Sequence, residues 1–477
     1  MESPVLENIR QLYKKYSGCL PESVQELPPS GSYRKYFRIS NQGKRLIGVY
    51  NQDARENAAF LGFTQIFIKH HLNVPSIYAV DHTTNTYLIE DLGDITLLSY
   101  LNQLDDEGNI KDSTLAIYKK VIDQLPLFQI KAGKYIDYTL CYPRDAFDRQ
   151  SMMWDLNYFK YYFLKLAKVP FDEQLLENDF VQLCDFLLKA DTSYFLYRDF
   201  QSRNIMLVDG NPYFIDYQGG RRGALQYDIA SLLFEAKTAL PSALRDELFQ
   251  YYLSVLSNHL TIDINAFSDL YYGFVYIRLM QAMGAYGFRG LYEKKELFLE
   301  SIPKALDHLS WLLNHVTLVI KLPELMKVFN FLASSVYIRE LAAKSISLTV
   351  SINSFSFKRG IPIDESQHGG GFVFDCRALR NPGRLDEYKT VNGNDPKVAD
   401  FFKDDQEVKD FLQSIYHLID YSVEQYGSKG FKNLMINFGC TGGQHRSVYS
   451  AEKLSQHLKE KYKNILIHTR HRELEMK

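Results

Sequence analysis

Tyr197-Arg198-Asp199-Phe200-Gln201-Ser202-Arg203-Asn204, followed twelve residues later by Asp216 in Tyr213-Phe214-Ile215-Asp216-Tyr217, decides how this chain of 477 residues is read. Phosphoryl transfer from a nucleotide needs one carboxylate to orient and deprotonate the acceptor hydroxyl, and oxygen ligands to hold a divalent cation against the phosphates. Asp199 is the candidate for the first role, Asn204 and Asp216 for the second. Between them the apolar Ile205-Met206-Leu207-Val208 reads as a strand, Asp209-Gly210-Asn211-Pro212 as a turn, and Pro212 to Ile215 as the returning strand. That hairpin would set Asn204 and Asp216 side by side.

The order and spacing match the H-R-D-x-x-x-x-N and D-F-G pair of kinases, with Tyr197 in place of His and Tyr217-Gln218 in place of Phe-Gly. Upstream, Pro28 to Ile39 reads as a small-residue turn between two strands, able to fold over phosphates through backbone amides. It supplies Gly31, Ser32, Arg34, Lys35 and Arg38 as nucleotide-binding candidates. Thr86-Tyr87-Leu88-Ile89-Glu90-Asp91-Leu92-Gly93 is an apolar strand ending in two acids and a glycine, suited to a hinge whose backbone pairs with adenine; Glu90 and Asp91 are its candidates.

From about Gly31 to Ala343 the chain resembles the aminoglycoside phosphotransferase family, and within it the cytosolic amino-sugar kinases that phosphorylate the anomeric hydroxyl of N-acetylmuramate or N-acetylglucosamine. The resemblance rests on Ser32 to Arg38, on Glu90 to Gly93, on Arg198 to Asn204, and on Tyr227-Asp228-Ile229-Ala230-Ser231-Leu232-Leu233. It implies ATP and Mg2+ as cofactors and an amino sugar as acceptor. Asp228 is expected to be structural, tying the catalytic loop by hydrogen bonds. One departure stands out: strand Leu46-Ile47-Gly48-Val49-Tyr50 lacks the lysine that grips the nucleotide phosphates in V-A-I-K kinases. Arg34, Lys35 or Arg38 could supply that charge. An inactive kinase fold serving an RNA-binding adaptor is the competing reading, and retention of Asp199, Asn204 and Asp216 argues against it. Gly284, Gly287 and Arg289 suit either the acceptor side or a helix-helix contact.

A second phosphate site is expected near the far end. Leu434-Met435-Ile436-Asn437-Phe438 reads as a buried strand, runs into Gly439-Cys440-Thr441-Gly442-Gly443-Gln444-His445-Arg446-Ser447, and is followed by Val448, Ala451, Leu454 and Leu458 at helical spacing. Strand, glycine-rich turn and helix start make a concave set of amides, to which Arg446 adds a forked cation. Cys440 to Arg446 also fits C-x5-R, in which a thiolate attacks a phosphate monoester, with Asp375 the candidate general acid. Against this phosphatase reading, Ser354 to Pro362, Phe374 to Pro382, Gly439 to Tyr449 and Thr469 to Glu475 resemble, in order, the C-terminal domain of the RNase adapter protein RapZ. That resemblance implies sensing of an amino-sugar phosphate, with contributions to small-RNA binding and homo-oligomerisation. Its ligand candidates are Asp375, Cys440, Thr441, Gly442, Gly443, His445, Arg446 and Ser447.

The expected architecture is α+β and α/β: a bilobal protein-kinase-like fold with an N-lobe over residues 1–93 and a mostly helical C-lobe over 94–343, then a smaller α/β phosphate-binding domain over 344–477. One amphipathic helix, Arg55 to His71, is expected before residue 93. Apolar content of 46% suits chains with real cores, and the 34 tyrosines and 31 phenylalanines are assigned to helix packing. Net charge of −2 gives no overall nucleic-acid signature, although Lys and Arg outnumber acids after Arg446. Met1 to Arg10 shows no leader pattern, and Trp311 to Ile320 is too short to span a bilayer. Five scattered cysteines without a C-x-x-C pair favour free thiols, no zinc and a cytoplasmic location.

Overall fold

The structure, a computed structural model, describes residues 4–28, 34–104, 110–238, 240–293, 295–340, 348–363, 371–429, 431–462 and 465–475. They form two compact units, Met1–Arg339 and Glu340–Lys477.

The first unit has the protein-kinase-like fold. Its smaller lobe is an antiparallel sheet of β1 (Ser23–Glu26), β2 (Lys35–Asn41), β3 (Lys44–Tyr50), β4 (Ile77–Asp81) and β5 (Thr86–Glu90) in the order β1-β2-β3-β5-β4. Helix α1 (Pro4–Ser17) precedes the sheet and α2 (Ala54–Lys69) leaves β3, capped by Asp53, whose carboxylate accepts the N–H groups of Arg55 and Glu56. The sequence expectation of a single helix here omits α1. Its signal is present: Val5, Leu6, Ile9, Leu12 and Tyr13 fall on one face, and Ile9, Leu12 and Tyr13 are buried against Phe37, Ile39 and Leu88. Gly48 is required under that face, because a Cβ there would stand 2.6 Å from Ile9 Cγ2.

The larger lobe is helical. It contains α3 (Leu97–Leu104), α4 (Ile110–Pro126), α5 (Arg149–Phe159), α6 (Glu173–Leu187), α7 (Gln226–Leu233), α8 (Ser242–Ser257), α9 (Ile264–Tyr286), α10 (Glu296–Leu299), α11 (Ser301–His315) and α12 (Pro323–Ser334). In α9 the consecutive residues Gly273 to Met280 are all buried, so it runs through the core rather than along the surface. Two short sheets interrupt the helices: β6 (Tyr194–Leu196) with β9 (Arg221–Gly223), and the hairpin of β7 (Ile205–Val208) with β8 (Asn211–Phe214). Asp209 and Gly210 turn that hairpin with φ of 49° and 72°, the two left-handed residues that a tight two-residue turn demands.

In the second unit β10 (Thr349–Ser356), β11 (Gly371–Asp375), β12 (Asn433–Cys440) and β13 (Leu466–His471) form a parallel sheet in the order β11-β12-β10-β13. Helices α13 (Pro396–Lys403), α14 (Gln406–Ser428), α15 (Arg446–Lys461) and α16 (Arg472–Glu475) accompany it. Val350, Ile352, Ile436 and Phe438 from the central strands meet Val398, Ile419, Ala451 and Leu454 from the helices in one apolar core. No described helix of either unit is long and apolar enough to cross a membrane.

Candidate active site

The catalytic loop leaves β6 through a strained turn. Arg198, a non-glycine residue, has φ of 79°, a conformation that costs about 1–3 kcal/mol and survives only where surrounding contacts fix it. Here they do. Asp228, fully buried in the first turn of α7, accepts the N–H groups of Tyr197 at 2.9 Å and Arg198 at 3.0 Å, and the Gln129 amide at 3.1 Å. The Arg198 guanidinium reaches Asp155 Oδ1 at 2.7 Å and the Tyr227 hydroxyl at 2.6 Å, and stands 4.8 Å from the Phe147 ring centre. Burial pushes the Asp228 carboxyl up to about 7 against the pull of its three donors. The folded protein therefore retains a proton that the unfolded chain releases near pH 4. The stability this group contributes is full below that pH and is lost as pH rises through about 7. Asp228→Asn is expected to remove this slope, so that the variant's melting temperature, measured against that of the parent protein, compares least favourably at pH 5 and improves toward pH 8; a difference independent of pH would refute it.

Asn204, at the end of the loop, donates from Nδ2 to the Asp199 carbonyl at 2.9 Å and to Asp216 Oδ2 at 3.2 Å. Gln218 Nε2 holds Asp216 Oδ1 at 2.8 Å, and the Ile215 N–H bonds the Asn204 carbonyl at 3.0 Å. The β7–β8 hairpin thus joins Asn204 to Asp216, which itself sits at φ 68°. Burial, then repulsion from Asp199, pushes the Asp216 carboxyl up. Two carboxylates facing one space are the donor set that a hard divalent cation relieves. Asp216 and the Asn204 Oδ1 fit such an ion. No cluster of three or more His, Cys, Asp or Glu ligands exists among the described residues, so phosphate oxygens and water would complete its shell.

On the nucleotide side the candidates separate. Arg34 is 5% exposed and its Nη2 lies 3.2 Å from Glu56 Oε2 on α2, which Asn51 Nδ2 also holds at 2.9 Å. Lys35 is exposed and pairs with Glu26 at 3.5 Å. Arg38 is bound by Asp91 at 2.8 Å and Asp94 at 2.8 Å. Glu90 Oε2 accepts from the Ser76 N–H and hydroxyl. The side chains of Arg38, Glu90 and Asp91 are therefore occupied with one another or with other protein partners, and Arg34, paired with Glu56, is the buried cation among the candidates. Gly31 and Ser32 lie outside the described residues. A cavity of about 720 Å³ takes Arg34, Glu56, Tyr87, Asp199, Asn204, Asp216 and Arg289 into its lining. Gly284, in contrast, packs on α5, where a Cβ would stand 2.7 Å from Tyr158 Cδ1.

Sequence reasoning missed Glu56 and Glu235. Glu56 could have been found as the glutamate in the first turn of the helix after β3, in kinases the partner of the strand lysine. Glu235 accepts the Ser202 N–H at 2.8 Å and braces the far end of the loop that Asp228 holds at Tyr197 and Arg198. Nothing in its local sequence signals that.

In the second unit, β12 delivers Cys440 to the sheet's carboxyl edge beside Ser356, and Ser356 Oγ donates to the Thr441 carbonyl at 2.7 Å. Cys440 Sγ receives the Gly443 N–H at 3.2 Å and lies 3.2 Å from Ser447 Oγ. Burial raises this thiol's pKa, but the Ser447 and Gly443 hydrogen bonds and the Arg446 charge outweigh it, so the net shift is downward. Gly443, at φ 66°, lies against Glu473 and the Ser356 backbone, while Thr441 and Gly442 are exposed. Arg446 is 5% exposed and spends Nη1 on the carbonyls of Arg377 at 2.8 Å and Leu379 at 3.0 Å; His445 Nε2 meets the Tyr388 carbonyl at 2.8 Å. Asp375 is held by Arg377 at 2.6 Å. One arm of the forked cation expected to face a phosphate is thus tied to backbone, while Nη2 reaches only Thr441 Oγ1 at 3.4 Å and Nε is buried without a hydrogen-bond partner among the described residues.

Residues 23–261 match the phosphotransferase enzyme family, and residues 348–475 match the RapZ C-terminal domain. A nucleotide-binding protein of Thermosipho africanus is 38% identical over 119 residues, 25% of this chain and 41% of the relative. One of Cereibacter sphaeroides is 41% identical over 128 residues, 27% of this chain and 40% of the relative. The chain thus spans about two fifths of the length of these curated relatives. Among solved structures, a choline kinase from Cryptosporidium parvum covers 68% of this chain and 99% of its own, at 15% identity and a TM-score of 0.46. An ethanolamine kinase from Plasmodium vivax covers 60% and 82%, at 14% identity and a TM-score of 0.44.

Proposed function

The chain belongs to the phosphotransferase enzyme family, and we propose that it transfers the terminal phosphoryl group of ATP to a hydroxyl of an amino sugar of the N-acetylmuramate or N-acetylglucosamine type. The observation that carries this is the convergence of Asp199, Asn204, Asp216 and the Arg34–Glu56 pair on one cavity of about 720 Å³, within the size range of small-molecule sites. Asp199 orients the acceptor hydroxyl and takes its proton as the oxygen attacks the terminal phosphorus and ADP leaves. Asn204 and Asp216 hold Mg2+, which, when bound, offsets the charge on the phosphates. Arg34, kept in place by Glu56, binds phosphate oxygens that a strand lysine would otherwise meet. Incubating the full-length protein with Mg2+-ATP and a panel of amino sugars tests the reading. A mass gain of one phosphate on a sugar is expected, and transfer to none of them would overturn the amino-sugar assignment.

For the terminal unit we propose the sensing of an amino-sugar phosphate, a reading supported by its match to the RapZ C-terminal domain. The lowered pKa of the Cys440 thiol favours a second reading, nucleophilic hydrolysis of a phosphate monoester. The pairing of Asp375 with Arg377 and the engagement of Arg446 Nη1 with two carbonyls weigh against it, since the candidate acid is already ion-paired and one arm of the cation is spent on backbone. The parent protein is therefore expected to show no hydrolysis of p-nitrophenyl phosphate. Robust hydrolysis that disappears in Cys440→Ser would reverse this assignment.

A further inference from the structure

Beside Asp199 three cations gather around a small space. A cavity of about 90 Å³ lies there, room for about three water molecules. It shares Asp199, Arg203, Gln281, Ala285 and Phe298 as walls with the larger cavity. Its cations are Arg203 from the catalytic loop, Lys237 from the segment after α7, and Arg278 from α9. Arg278 is 8% exposed, and its Nε and Nη1 go to two neutral groups, Ser231 Oγ at 2.9 Å and Gln281 Oε1. Among the described residues none of the three cations forms an ion pair.

Two acids, Asp199 and Glu235, share the wall with these three cations. Glu235 is turned to the Ser202 N–H at 2.8 Å, and burial pushes its carboxyl up against the pull of that bond and of Arg203 and Lys237. Lys237 is pushed down, by burial and then by Arg203, even with Glu235 and Glu300 pulling the other way. Its ammonium stands 5.7 Å from the Phe298 ring centre. A folded protein keeps repelling cations around a partly buried space at a cost, and an anion entering that space relieves it. The volume admits a carboxylate and the carbon that bears it.

We propose that the phosphoryl acceptor bears a carboxylate, which Arg203, Lys237 and Arg278 hold in the small cavity while the hydroxyl to be phosphorylated meets Asp199 in the larger one. This rests on the kinase reading and narrows its acceptor to sugar acids; a cationic acceptor is repelled from the same wall.

The test uses the full-length protein with Mg2+-ATP and paired acceptors, hexuronates and 3-O-carboxyalkyl hexosamines, each against its own carboxamide. The expected result is a preference for the acid in kcat/KM on the order of tenfold to a hundredfold, the scale of charge-assisted hydrogen bonds. That ratio should collapse toward one in Arg278→Gln and, independently, in the less buried Lys237→Met. Equal kcat/KM for acid and amide, or a preference for amine-bearing acceptors, overturns the proposal and leaves phosphotransfer standing. If no acceptor turns over, calorimetry of the same pairs with a non-hydrolysable ATP analogue decides: tighter binding of the acid, lost in both variants, upholds the anion site, and equal or absent binding overturns it. Failure of the parent protein to bind Mg2+-ATP would overturn the kinase reading and this proposal with it.

Discussion

Asp199→Asn lowers turnover by a factor on the order of 10² to 10⁴, the range a positioned general base supplies, while the affinity for ATP stays within a few-fold of the parent value. The reason is local. The Asp199 backbone carbonyl, not its carboxylate, accepts the Asn204 amide at 2.9 Å, so the loop geometry survives the exchange. The carboxylate itself takes a 3.3 Å contact from Gln201 Nε2, which an asparagine oxygen can still receive. What the variant loses is the lone pair that takes the proton. Asp216→Ala should behave differently, abolishing the Mg2+ dependence of nucleotide binding because it removes a cation ligand. Single-turnover rates and calorimetry with and without Mg2+ separate the two. Undiminished turnover in both variants would sink the assignment of a kinase active site to this loop.

That contrast was open to a reader of the sequence because it depends on short-range spacing. Asp199 and Asn204 share one loop, and an Asp-Gly turn fixes where Asp216 returns, so local chain geometry carries the information. The parallel strand, glycine-rich turn and helix start around Cys440 were legible for the same reason. What the side chains around Cys440 do was not. Arg446 donates to carbonyls 67 and 69 residues upstream, partners that no spacing within the loop announces. The same holds for the cations of the small cavity. Arg203, Lys237 and Arg278 come from a loop, a helix exit and the middle of a core helix, and only tertiary packing gives them a common space. Helix α1 is another matter: the apolar spacing of Val5, Leu6, Ile9, Leu12 and Tyr13 is a short-range signal, legible without tertiary contacts.

The missing strand lysine leads to the second large effect. Arg34→Met is expected to weaken ATP binding by about 2–3 kcal/mol, roughly thirtyfold to 150-fold, near the lower end for truncating one member of a buried hydrogen-bonded charge pair. The lower end applies because Glu56 is partly solvated, with 39% of its side chain exposed against 3% for Arg34. The position matters as much as the charge. Lys35 pairs with Glu26, and Arg38, although it lines the same cavity, is held by Asp91 and Asp94, so neither can replace Arg34 without breaking its own pair. Arg34→Lys should recover part of the loss, since an ammonium restores the charge but not the planar fork that reaches Glu56 and a phosphate at once. Glu56→Gln should reproduce a smaller version of the defect by loosening the arginine rather than removing it. Purely structural damage predicts a different pattern: lower melting temperature in Arg34→Met with unchanged ATP affinity in the fraction that remains folded. Calorimetry and thermal unfolding on the same samples distinguish the two, and unchanged affinity would remove Arg34 from the nucleotide site.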